Sequence, residues 1–137
     1  MSKTIRIAAA LLLDPQGRTL LVRKRGTQAF MQPGGKIEAD EQPVNALARE
    51  LFEELGLAIE PQDAEFLGQF SAPAANEPGF VVQADLFKVH SAMPVEPAAE
   101  IEEVVWVSAR KPLTLELAPL TRDLILPLYR QLTTTPV

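Results

Sequence analysis

The chain has no cysteine, and this removes disulfides, zinc–thiolate sites and cysteine nucleophiles together. It has one histidine, His90, which argues against a histidine-rich metal site or a serine–histidine hydrolase; its place reads as the surface end of a strand. No apolar run reaches the ~20 residues that a membrane-spanning helix needs. Lys3 and Arg6 ahead of the apolar residues 7–13 faintly imitate a secretion signal. That run is short and leads into Asp14-Pro15-Gln16-Gly17, a turn signal, so a buried strand and a hairpin are expected instead. A cytoplasmic protein follows, with no membrane partner. No basic face suits long nucleic acid. No internal repeat and no second domain are evident, and 137 residues suit one domain, residues 1–137, able to bury about two-thirds of its unfolded surface.

Acid is present in excess, and it is concentrated. The chain holds 13 Lys and Arg against 18 Asp and Glu, a net charge of −5. Between Ile37 and Leu57 lie Glu38, Asp40, Glu41, Glu50, Glu53 and Glu54 against one base, Arg49, so this segment alone accounts for the whole net charge. Val44, Leu47, Ala48, Leu51, Phe52 and Leu55 follow the i, i+3, i+4, i+7 stripe of an amphipathic helix. Asp40 fits its N-cap, Pro43 an early helical position and Gly56 its C-cap. Glu50, Glu53 and Glu54 then share an arc of ~100°, away from the apolar stripe. Like charges at such spacing repel by a few tenths of a kcal/mol per pair, and a divalent cation would reverse that sign. Arg49, four residues before Glu53, can pair with it and fix its direction.

Residues 35–57 fit the pattern Gly-x5-Glu-x7-Arg-Glu-U-x-Glu-Glu-x-Gly-U, with U aliphatic, at every fixed position. Seven fixed residues of ~7% frequency coincide by chance roughly once in 10⁸ registers. The stretch resembles the signature box of the Nudix hydrolases, and the looser likeness runs over nearly the whole chain. The resemblance implies an α/β (α+β) fold, a mixed β-sheet sandwiched between α-helices, where the alternation of elements alone gives only mixed α/β.

It also implies metal-assisted attack of water on a phosphoanhydride, with Mg²⁺ as cofactor and Mn²⁺ as the alternative. The substrate would be a small nucleotide-type molecule, a nucleoside diphosphate linked to another moiety: a nucleoside triphosphate, ADP-ribose or a nucleotide sugar. Glu50, Glu53 and Glu54 would bind metal, with the Gly35 carbonyl as an extra ligand. Arg49 would orient Glu50 or Glu53, and Glu41 would support them. A general base could be a box glutamate or one of the loop acids Glu77, Glu100, Glu102 and Glu103. Phosphate contacts are expected from Arg23, Arg25 or Lys36, and Phe30 could stack on a base or simply pack. Trp106 reads as core. Pro73 lies sixteen residues beyond the box, as in some ADP-ribose-cleaving relatives, a weak hint in a chain with 12 prolines. Homodimers are common in the family. The rival readings are a non-catalytic Nudix-like nucleotide-binding or sensor domain and an interaction protein whose acidic helix is only surface.

Strands are expected over residues 5–13, 19–25, 65–71, 80–89 and 102–107, with loops over 71–79 and 91–99. A short turn or helix is expected over 113–117, and a final helix over 121–132, interrupted by Pro127.

Overall fold

The computed structural model describes residues 3–111 and 113–133. β1 (Lys3–Leu13) lies at the centre of the sheet. It runs parallel to β5 (Phe80–His90), and β4 (Ala64–Pro73) pairs antiparallel on the outer edge of β5. On the other side β1 meets β2 (Thr19–Lys24), which pairs antiparallel with β6 (Ile101–Val107). The full order is β4-β5-β1-β2-β6.

β1 is apolar without alternation because both its faces are covered. Ala8, Ala10 and Leu12 pack with Leu47, Leu51 and Leu55 of helix α1 (Pro43–Leu55). Ala9, Leu11 and Leu13 pack with Ile125, Leu126 and Tyr129 at the C-terminal helix. This is the mixed sheet between helices that the sequence implied. The Tyr129 hydroxyl donates to the Gly17 carbonyl and ties that helix to the β1–β2 turn. The turn itself is closed by the Asp14 carboxylate, which accepts from the backbone N–H groups of Gln16 and Arg18.

β1 and β2 pair at Leu13 and Thr19 and then diverge. The chain from Phe30 to Lys36 fills the fork. Met31 exchanges both backbone hydrogen bonds with Val22 of β2, and β3 (Gly34–Lys36) pairs with Ile7–Ala9 of β1. A side chain at Gly34 would begin 2.1 Å from the Ala8 carbonyl oxygen, and Gly34 has φ +143°, so only glycine lets β3 lie this close.

Several local expectations need correction. Asp40 does not cap α1; the N-cap is Gln42, which makes no side-chain cap bond, and Asp40 sits at φ +67° in the preceding turn. Phe52 is 61% exposed, whereas Glu54 is buried, so the buried face of α1 is rotated toward the acids. Residues 71–73 are strand: Ser71, Ala72 and Pro73 pair with Gln83, Val82 and Val81, and Pro73 is tolerated because β4 is an edge strand. The stretch 113–117 is not helical; Leu117 bridges Phe30, and the Phe30 N–H donates to the Glu116 carbonyl.

Pro127 does not interrupt the final helix. Thr121–Ile125 widen into a π turn, where the Leu126 N–H donates to the Thr121 carbonyl five residues back. α2 (Leu126–Thr133) continues from it, because the wider turn makes room for the ring of Pro127. Trp106 is only partly buried, and the Arg18 guanidinium lies 5.9 Å from its ring centre.

Candidate active site

The box residues meet where α1 crosses β3. Glu54 follows Leu47 by seven residues and Leu51 by three, the spacing of the buried stripe itself, and it is only 2% exposed. Its Oε1 accepts from the Gly34 N–H at 3.1 Å, while Oε2 is buried with no hydrogen-bond partner among the described residues. Burial raises its pKa to about 7 against the help of the Gly34 N–H, and the nearby Glu50 charge adds to the rise. Burial likewise raises the pKa of Glu50, opposed by the Arg49 guanidinium. A Cβ on Gly35 would fall 2.4 Å from the Glu50 carboxyl carbon, so the glycine is the space that Glu50 occupies.

Arg49 organises the acids around it. Its Nε and Nη2 donate to the two Glu41 oxygens at 2.8 and 2.9 Å, and Nη1 donates to Glu50 Oε1 at 2.8 Å. Nη2 also reaches the Lys36 carbonyl at 3.1 Å. Hydrogen bonds from Arg49, then from the Glu38 N–H, lower the Glu41 pKa to about 2. The Glu41 contact is also the main cause of a raised Arg49 pKa. Glu53, the expected pairing partner, stands 3.7 Å from Arg49 and is half-exposed. Arg49 therefore orients Glu50 and Glu41 first.

The expected phosphate contacts divide by strand face. Leu20, Val22 and Lys24 point to the α1 side, where Leu20 and Val22 join the core, and Lys24 lines a cleft with Gly34, Gly35 and Lys36. Arg23 lies on the opposite face, Arg25 follows β2 in the turn, and neither lines the cleft. Arg23 pairs with Glu103 at 3.1 Å and donates to the Thr27 carbonyl; Arg25 pairs with Glu102 at 3.4 Å. Phe30 is buried with Leu21 and Val107, beneath Arg23, and also misses the cleft. Lys24 was missed by sequence reasoning, although its i, i+2, i+4 relation to Leu20 and Val22 was there to read. Of the loop acids, Glu77 lines the cleft and Glu100 pairs with Lys24 at 3.3 Å, whereas Glu102 and Glu103 are held by the two arginines. Pro73 and Ala75 form part of the cleft wall. His90 ends β5, exposed and away from the site.

Among the described residues no three carboxylate or imidazole groups are gathered closely enough to ligate one ion. A hard divalent cation does not require that: Mg²⁺ is commonly held by one or two carboxylates, waters and substrate phosphates. The buried Glu54 with an unpartnered oxygen, Glu50 beside it and the bare Gly35 backbone fit such an ion by their oxygen chemistry.

The NUDIX domain family model matches residues 3–128. Phosphatase NudJ of Escherichia coli strain K12 is 32% identical over 108 residues, covering 77% of this chain and 69% of that protein. The crystal structure of the MutT protein from Methanosarcina mazei Go1 superposes with a TM-score of 0.79 at 24% identity, covering 98% of each chain. A bifunctional NMN adenylyltransferase/ADP ribose pyrophosphatase from Francisella tularensis, complexed with AMP and a manganese ion, superposes with a TM-score of 0.73 at 19% identity. That match covers 96% of this chain but 42% of the other. The two structural likenesses show a shared fold. With the family match spanning most of the chain, the box and its carboxylates fall into place: this protein belongs to the Nudix hydrolase family.

Proposed function

We propose that the protein is a divalent-metal-dependent pyrophosphohydrolase, using Mg²⁺ with Mn²⁺ as the alternative. Its substrate is a nucleoside diphosphate linked to another moiety, and water attacks the phosphoanhydride. The observation that carries the reading is Glu54: a carboxylate enclosed by protein, with one oxygen unpartnered and no basic side chain bonded to it. A buried anion of this kind is costly unless a cation completes it.

Glu50, Glu53, Glu54 and the Gly35 carbonyl would hold the ion. When bound, it neutralises phosphate charge and lowers the pKa of water. Arg49 fixes the direction of Glu50 through one charge-assisted bond and is itself fixed by both oxygens of Glu41. Lys24 and Lys36 would face the phosphates from the cleft wall. Glu53, Glu77 and Glu100 are the acids left to accept the proton of the attacking water. The manganese in the Francisella protein and the phosphatase name of NudJ support the same reading. A cytoplasmic location is part of this proposal; separately, among the described residues no helix is long and apolar enough to cross a membrane. A homodimer is suggested by the family resemblance alone.

The test is a Mg²⁺-dependent hydrolysis screen over nucleoside triphosphates, ADP-ribose, nucleotide sugars and dinucleoside polyphosphates, with products identified, alongside thermal melts with and without the ion. Turnover that collapses in Glu53→Gln and Glu54→Gln supports the proposal. A melting temperature indifferent to Mg²⁺ and Mn²⁺, with activity unchanged in both variants, would sink it.

A further inference from the structure

Beside the carboxylates the cleft continues into a shallow apolar pocket, open to solvent at its mouth. Ile7, Met31 and Val82 line both parts, so the pocket and the lysine-flanked opening form one continuous groove. Apart from Gln32 and Thr121, every side chain of the pocket wall is apolar.

Those two residues form a deliberate-looking pair. Thr121 is fully buried, and its hydroxyl donates to Gln32 Oε1 at 2.8 Å. Gln32 is 6% exposed, and its Nε2 is buried with no hydrogen-bond partner among the described residues. In this arrangement the Thr121 hydroxyl satisfies the amide oxygen and leaves an N–H₂ group at a pocket wall. An unpaired buried donor is destabilising, and a ligand acceptor would relieve it.

We infer that this pocket seats the base of the nucleotide, and that Gln32 Nε2 reads a carbonyl oxygen on the base's edge, so that oxo bases are taken over their amino counterparts. The inference rests on the proposed nucleotide substrate, whose phosphates the adjoining lysine and carboxylate end would receive. Apolar walls accept the faces of a flat ring, and a single fixed donor discriminates at its rim. A carbonyl such as that of hypoxanthine or uracil accepts from Nε2. The amino group of adenine or cytosine would set donor against donor, and sites that leave a buried polar group unpaired reject the wrong ligand strongly. Thr121 acts as a positioning residue, because its hydroxyl proton engages the amide oxygen and Val would withdraw that partner.

Nucleoside monophosphates test this directly, since they lack the anhydride and are not turned over. Calorimetric titration of the full chain in Mg²⁺ buffer compares IMP with AMP and UMP with CMP. In whichever pair binds, the oxo member is expected to bind about tenfold or more tightly. Gln32→Met, similar in size and free of the unpaired donor, should bring each pair within about twofold; Thr121→Val should narrow the gap by withdrawing the partner of the amide oxygen. The wild-type comparison needs no variant, so a misfolded variant does not rescue the idea. An amino member that binds as tightly, no binding by either pair, or a preference that survives Gln32→Met overturns it. Equal binding with normal Mg²⁺-dependent hydrolysis removes the base pocket alone, whereas a clear oxo preference without metal-dependent turnover removes the proposed reaction alone.

Discussion

Glu54 ties stability to pH in a direction opposite to that of most surface acids. Its carboxyl titrates at about 7 in the folded chain against 4.5 in the reference state. Between those values the native protein holds a proton that the unfolded chain has lost, so stability falls as pH rises from about 4.5 to about 7, by roughly 3 kcal/mol at full ionisation. Glu41 has the opposite sign, but its contribution is complete above 4.5 and is lost only as pH falls toward about 2. Thermal melts of metal-free protein should therefore fall in midpoint through the window from 4.5 to 7, and Glu54→Gln should flatten that slope. Gly35→Ala drives a methyl group into the Glu50 carboxylate and should lower turnover roughly 10–100-fold by misplacing it. Arg49→Lys keeps the charge but loses the fork that grips both Glu41 oxygens while reaching Glu50; steady-state kinetics should show a loss of similar size in kcat, with the melting midpoint little changed.

Helix α1 shows both what a sequence makes legible and what it hides. The box could be read because its chemistry is local: Arg49, Glu50, Glu53 and Glu54 share one helix, and Gly35 lies just ahead of it. The helix ends at Gly56 as its spacing predicts but starts after Gln42 rather than Asp40, and its buried face takes in Glu54 and leaves Phe52 exposed, against their hydrophobicity. Position relative to the sheet, not hydrophobicity alone, decides which is enclosed. Leu51→Ala should accordingly cost about 2–5 kcal/mol in denaturant unfolding, and Phe52→Ala, at an exposed site, within about 0.5 kcal/mol of zero. The strand order and the fork between β1 and β2 could not be read, since they depend on pairings between distant residues such as Ile7 with Ala84 and with Lys36. Arg23 and Arg25 miss the cleft for a related reason: alternation tells which residues share a face, but not which face meets the site. The Gln32–Thr121 pair joins residues far apart in the chain and carried no signal beyond a polar residue ahead of Pro33.

For the molecule as a whole, a bound ion couples to folding by mass action. At a concentration about 100 times its Kd, Mg²⁺ should add roughly 2.7 kcal/mol to unfolding stability, and Glu54→Gln should lose most of that gain in paired melts. The cleft has a second whole-chain property. Its carboxylate end is built from residues between β3 and the end of α1, a continuous piece of chain, whereas the pocket wall borrows Val82, Ala118, Leu120 and Thr121 from much later segments. The box carboxylates and the far wall of the pocket thus come from separate stretches of the polypeptide. Changes at Val82, Ala118, Leu120 and Thr121 would alter the far wall of the pocket without touching the carboxylates of the box, so a lineage could shift which molecule it holds by drift in these later segments while the box stays the same.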